Sequence, residues 1–163
     1  MPIEIGWAFA DPETGEIQVE SHLIRPAPEW HIATCWDKAA ESLHGINCGQ
    51  LYTEGSAPAD IVRRMNEALG GRDLYSDAPA WDGDWLRMIV EAADVKPSFS
   101  VSRVEAHTLI GIVAREQAWE AVDCLAIMEK ISCDVPRTHR AAADARHLAA
   151  LWLAMKQGAS PET

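Results

Sequence analysis

His139-Arg140-Ala141-Ala142-Ala143-Asp144-Ala145-Arg146-His147-Leu148-Ala149-Ala150-Leu151-Trp152-Leu153-Ala154-Met155 reads as one helix, and its first turns set the problem the rest of the chain must solve. Leu148, Leu151 and Met155 follow Asp144 at helical spacing, so the aspartate heads the stripe that a helix turns to its core. Thr138 is the expected cap, and the helix is expected to run from His139 to about Lys156. The alanines of 141–150 form a close-packing face and not a low-complexity tract.

A second helix repeats the arrangement. From Ala80 onward, Trp81, Trp85, Leu86, Ile89 and Val90 recur with helical spacing up to Asp94, and Asp82 heads the stripe of Leu86, Ile89 and Val90. Trp81 and Trp85 are expected to pack in the core. A carboxylate on a buried face is costly unless something pairs with it. Two readings account for the pair. Each aspartate sits in a first turn, where it favours the positive end of the helix dipole. Alternatively, the two carboxylates hold a divalent cation between them, and Mg²⁺ or Mn²⁺ prefers such oxygen ligands. His139, five residues before Asp144, suits a base that takes a proton from attacking water, or is a plain exposed histidine. His147, one turn after Asp144, is a weaker candidate as ligand or supporting partner. His22 and His107 have no such context.

Outward from these helices, the chain alternates element types. Ile3 to Phe9 and Ile17 to Ile24 flank the turn Asp11-Pro12-Glu13-Thr14-Gly15 and read as a hairpin. Arg25-Pro26-Ala27-Pro28 ends it. Trp30 to Tyr52 is irregular apart from a short helix near Lys38 to Leu43. Ser56 is the expected cap of a helix with Pro58 in its first turn and a stripe of Ile61, Val62, Met65 and Leu69, stopped by Gly70-Gly71. Leu74 to Ser76 and Phe99 to Val104 are expected strands. Glu105 to Lys130 is helical with a break near Glu116. The order predicts an α/β fold, a mixed β-sheet flanked by helices, in one domain over 1–157 with a flexible tail at 158–163.

Composition narrows the function classes. The chain has 163 residues, 48% hydrophobic and 24% charged, which excludes a disordered or collagen-like protein. Its 14 basic and 25 acidic residues give a net charge of −11, so bulk attraction to nucleic acid is excluded. A locally bound cation would reverse that field. No apolar run reaches the roughly 18 residues of a membrane helix, so no membrane partner is expected. The four cysteines form no CxxC pair. With no signal peptide in view, they are expected to be reduced, mostly buried thiols of a cytoplasmic protein.

Four ordered stretches carry a resemblance. His139 to Ala145 resembles the HxxxxDA third motif of the DEDDh exonucleases, the DnaQ-like branch of the ribonuclease H-like superfamily. Asp77-Ala78-Pro79-Ala80-Trp81-Asp82-Gly83-Asp84-Trp85-Leu86 resembles their second motif, in which an aspartate follows an aromatic residue. Ile3-Glu4-Ile5-Gly6-Trp7-Ala8 resembles their EIG strand, and Arg25-Pro26 with His44-Gly45-Ile46 resembles the "RP…HGI" stretch. The resemblance spans most of the chain. It implies a ribonuclease H-like fold and metal-dependent 3′→5′ exonuclease action on single-stranded DNA or RNA. Asp82 and Asp144 would be metal ligands for Mg²⁺ or Mn²⁺, His139 the general base, and Asp84 a close alternative to Asp82.

One departure is serious. The family's first motif, DxE, lies on a strand just before the EIG strand and supplies two of four ligands, and this sequence has no counterpart to it. That strand lies mid-sheet in the family, so its loss would leave a gap between two ladders. Glu4 stands on a different strand and does not replace it. Three arrangements answer the absence: a longer active enzyme with the motif upstream, a degenerate member that binds nucleotides or a protein partner without cutting, or a homo-oligomer in which another copy completes the sheet. The first is favoured because Asp82, His139 and Asp144 are all present. As it stands, the chain is expected to be inactive or impaired. The acidic balance favours short oligonucleotides over long duplexes.

Overall fold

The computed structural model describes residues 1–157, and of residue 33 only the backbone. The fold is mixed α/β. The chain packs as two compact units, one made of residues 1–5 and 22–105, the other of residues 6–21 and the chain from 106 onward. The expected tail at 158–163 lies outside the described residues.

Strands β1 (Glu4–Ala10) and β2 (Ile17–Leu23) pair as a hairpin that runs through both units. Its turn is held by Asp11, whose carboxylate accepts from the Glu13 amide at 2.8 Å and from the Thr14 hydroxyl at 2.9 Å. Gly15 supplies the positive φ of 77° that closes the turn.

In the first unit, a cluster of Ile32, Ile46 and Leu51 packs with Met1, Ile3, Leu23, Trp36 and Cys48. The stretch expected to be irregular apart from a helix near Lys38 to Leu43 holds that helix and further short turns. A 3₁₀ turn at Pro28–Trp30 leads into α1 (Ile32–Cys35), α2 (Lys38–His44) and α3 (Cys48–Thr53). Caps explain why such short helices stand. Asp37 accepts from the Ala39 and Ala40 amides, and Asn47 with Gln50 forms a reciprocal capping box. In the His44-Gly45-Ile46 stretch, Gly45 closes α2 at φ 70°, the His44 ring accepts from the Ile46 amide, and Ile46 is buried.

Helix α4 (Pro58–Leu69) buries Ile61, Val62, Met65 and Leu69, the stripe read from the sequence. Its cap is Ala57 and not Ser56, because the Ser56 backbone is engaged elsewhere. Ser56 bridges to Ile24, donating to the Leu23 carbonyl and accepting from the Arg25 amide. Strands β3 (Asp73–Leu74) and β4 (Ser100–Val101) pair in parallel, with α5 (Pro79–Ala93) in the crossover between them. Both are shorter than the expected Leu74–Ser76 and Phe99–Val104. A ladder lasts only as far as both strands reach, and only two residue pairs are in register. Asn66 fastens the return loop, donating to the Lys96 carbonyl and accepting from the Ser98 amide.

In the second unit, α6 (Ala106–Glu116) and α7 (Ala121–Asp134) replace one long helical pattern, with the break where it was expected. Ala118 turns the chain there at φ 56°. Both helices pack on α8 (Ala141–Gln157) through Ile110, Val113, Ala114, Ile127, Leu151 and Met155. The Trp119 indole locks the corner by donating to the Met155 carbonyl at 3.0 Å. Among the described residues the strands form two two-stranded ladders, and no helix is long and apolar enough to cross a membrane. The cysteines correct the expectation of burial. Cys35 and Cys133 are exposed, Cys48 and Cys124 half-buried, and all four are free thiols.

Candidate functional site

Asp82 belongs to the first unit, His139 and Asp144 to the second. Asp82 lies in the first turn of α5, where its amide donates to the Ala78 carbonyl. Its stripe points inward as expected, with Ile89 and Ala93 buried and Leu86 and Val90 half-buried. Burial pushes the Asp82 carboxyl above the usual carboxylate range, the nearby Ser76 hydroxyl pulls it back in part, and the Asp77 charge adds to the rise. Ser76 Oγ is itself buried without a hydrogen-bond partner, so its approach to Asp82 stops short of a well-formed bond.

Asp84, the alternative, is 67% exposed and paired with Arg87 at 3.3 Å in an i, i+3 surface pair. Its charge is already answered by solvent and a guanidinium. Asp82 is the carboxylate of this helix that burial leaves under-solvated. The neighbouring tryptophans correct the sequence reading. Trp81 is 67% exposed and Trp85 44% exposed, because the core of α5 runs along the Leu86–Ile89–Ala93 face and both indoles fall beside it.

Asp144 lies in the first turn of α8, and its amide donates to the Arg140 carbonyl. The stripe after it is as expected, with Leu151 and Met155 buried and Leu148 half-buried. Its side chain is 25% exposed overall. The Oδ1 atom is fully buried and makes no hydrogen bond. The Nε of Arg137 lies 3.7 Å from that atom, beyond hydrogen-bonding reach.

His139 is not on the helix. It sits at φ 56° in a bend two residues before Ala141, with its side chain exposed. A residue in the left-handed region cannot begin an α-helix, so Thr138 does not cap it and the helix starts at Ala141. Exposure leaves the His139 ring open to solvent. His147 is buried, and its Nδ1 lies 2.7 Å from the Val135 carbonyl. A carbonyl only accepts, so Nδ1 carries the proton and the contact ties the 135–140 segment to α8.

The N-terminus of α8 is seated by Gly6, the glycine of the EIG stretch. A Cβ built at Gly6 would lie 2.7 Å from the Ala141 carbonyl carbon and 2.9 Å from its oxygen. Strand and helix backbones approach too closely there for any side chain. Gly6 and Ala141 are thus adjacent in the second unit.

Sequence reasoning missed Arg137 and Ser76. Neither lies in a periodic element, so no hydrophobic pattern marks them. Arg137 stands two residues before His139 and Ser76 six before Asp82, and only proximity to the motifs offered a signal. Among the described residues no group of three or more His, Cys, Asp or Glu side chains converges as a metal cage.

No protein-family model matches this chain, and no solved structure matches it. Over 105 residues, 64% of its length, the chain is 24% identical to the DNA mismatch repair protein MutS of Geobacillus kaustophilus (strain HTA426). That match covers 10% of the MutS chain.

Proposed function

We propose that the protein is a metal-dependent 3′→5′ exonuclease-like protein of ribonuclease H-like fold, directed at single-stranded DNA or RNA and inactive or impaired without the DxE motif. The observation that carries this reading is where its unsatisfied polar atoms lie. Among the described residues, the buried side-chain atoms without a hydrogen bond are Asp144 Oδ1 and Ser76 Oγ, the latter beside Asp82. Native proteins leave few such groups. Here both fall at the carboxylates that the motifs single out as ligands. A lone-pair atom held dry and unbonded suits a cation better than it suits a structural role.

The ladders support the fold reading. A hairpin plus a separate parallel ladder is what such a sheet leaves when its central DxE strand is taken away. The likeness to a DNA mismatch repair protein leans the substrate toward DNA.

On this reading Asp82 and Asp144 would each be a carboxylate ligand for Mg²⁺ or Mn²⁺. When bound, the metal lowers the charge repulsion around the scissile phosphate and stabilises the leaving oxygen. His139, exposed and in a left-handed backbone conformation, would take a proton at a ring nitrogen from the water that attacks the terminal phosphodiester. The products are a 5′-nucleotide and a strand one residue shorter. Burial of Asp144 Oδ1 keeps that carboxylate dry for the ion.

The test uses 5′-labelled single-stranded DNA and RNA oligonucleotides with Mn²⁺, and the protein with the DxE strand supplied in the same polypeptide. A ladder shortening from the 3′ end is expected, lost in Asp144→Ala and in His139→Ala. Undiminished cleavage in both variants would remove the proposed site. The second reading is a noncatalytic nucleotide-binding or protein-interaction module of the same fold. Mn²⁺-independent oligonucleotide binding with no cleavage would favour it.

A further inference from the structure

Helices α6 and α7 turn an apolar face of the second unit to water. Ile112 on α6 is 42% exposed, and Val122, Leu125 and Met128 on α7 are 71%, 60% and 39% exposed. The three α7 residues follow one another at intervals of three, so they run along one side of the helix. They lie outside the line of Cys124, Ile127 and Ile131 that packs in the core. Beside them a groove of about 450 Å³ opens between the two helices, with Gly111, Ala114 and Arg115 on one wall and Ala121, Cys124 and Leu125 on the other. A Cβ at Gly111 would meet no atom within 4 Å, so the groove has room there. Apolar knobs next to an apolar groove mark an interaction surface.

The charges of the face decide what covers it. Arg115 stands at the groove, and Glu129 lies one turn beyond Leu125 on α7, so Leu125 falls between a cation and an anion. Among the described residues neither Arg115 nor Glu129 makes an ion pair. A face with one cation and one anion on opposite sides of an apolar patch is complementary to itself. A half-turn about an axis through the patch lays each cation over the anion of the other copy.

We propose that this face joins two copies of the chain about a twofold axis near Leu125. Leu125 and Met128 of each copy enter the groove of the other, and Arg115 of each meets Glu129 of the other. The inference does not depend on the exonuclease reading, and it uses a different surface from one on which a second copy would complete the sheet. A patch of four large apolar residues falls well short of the roughly 20–30 residues a side of a standard interface. The dimer is therefore weak and reversible, with a Kd on the order of tens of micromolar.

Sedimentation equilibrium of the full chain tests this. A reductant keeps Cys35 and Cys133 as thiols, and about 0.15 M salt screens the repulsion between copies that each carry −11. The mass should rise with concentration from 17.9 kDa toward twice that value. Leu125→Glu changes an exposed residue, so its circular dichroism should match the parent while the Kd rises at least about 30-fold, the scale of an interface hot spot. Arg115→Glu and Glu129→Arg each set like charges together twice per dimer, and each should raise the Kd about tenfold. The double variant Arg115→Glu/Glu129→Arg should recover the parent Kd to within about twofold.

A mass of 17.9 kDa at every concentration would overturn the proposal and leave the face to a different partner. A dimer indifferent to Leu125→Glu would also overturn it, since association would then use another surface. So would a double variant that recovers nothing of what the single changes lost.

Discussion

The heads of α5 and α8 present the same sequence pattern, an aspartate in the first turn followed by an apolar stripe, yet each answers the buried charge differently. At α5, burial raises the affinity of Asp82 for its proton, with the Ser76 hydroxyl and the Asp77 charge nearby. At α8, the buried oxygen of Asp144 keeps a guanidinium at a distance. The difference teaches that one motif logic does not fix one electrostatic state. Asp82 is set by desolvation, Asp144 by a guanidinium held beyond hydrogen-bonding reach. The surroundings differ as well. The glycine beside α8 is sterically obligatory, whereas Gly83 inside α5 faces open space.

That steric contrast yields the largest expected effect. Gly6→Ala drives a Cβ into the Ala141 backbone and should cost about 3 kcal/mol, in the upper range for overpacking, seen as a lower midpoint in urea unfolding. A cost below about 0.5 kcal/mol would mean that α8 is not seated on this strand. Trp119→Phe removes the indole donor to the Met155 carbonyl and should cost about 1 kcal/mol. The same denaturant series reads it, and an unchanged midpoint would show that the bond adds nothing to the α8 corner.

On the α5 side the sign reverses. Gly83→Ala meets no atom within 4 Å and sits inside a helix, so it should stabilise by about 0.5–1 kcal/mol. Destabilisation would indicate that something packs against this face.

The smallest effect concerns pH. The folded-state pKa of Asp82 is raised above its ordinary value, so the native state binds the proton more tightly than the unfolded chain. Between the unfolded and folded values the native protein therefore carries more protons, and stability falls as pH rises through that window. Above it, the ionised carboxylate is a standing penalty. Asp82→Asn should then raise the melting midpoint slightly at neutral pH and flatten the acid-side slope. A parent slope of opposite sign, attributable to Asp82 by its loss in the variant, would refute the desolvated state of this residue.

Much of the architecture was legible because it is periodic. The α4 stripe Ile61–Val62–Met65–Leu69, the hairpin around Asp11–Gly15 and the break after Glu116 all follow from spacing and turn chemistry. What escaped is set by capping and by partners. In the run from Pro28 to Thr53 the short helix near Lys38 was legible, whereas α1 and α3, the latter held by the Asn47–Gln50 box, were not, because no stripe marks them. Strands β3 and β4 are cut short by the reach of their partner, which neither strand's own sequence encodes. At the candidate site, Asp82 and Asp144 were visible as polar residues on apolar faces. Arg137, Ser76 and the left-handed backbone of His139 were not, because loop residues carry no period. The outward position of Trp81 and Trp85 was misread, since two indoles beside a stripe look in sequence like part of it.

The free thiols of Cys35 and Cys133 offer a use apart from chemistry. Each compact unit carries one exposed cysteine, while Cys48 and Cys124 are half-buried. A maleimide donor–acceptor pair would attach first at these two positions in the parent sequence, with no engineered substitution. Energy transfer between the dyes would then act as a ruler between the units, read in solution and as a function of added Mn²⁺ or oligonucleotide.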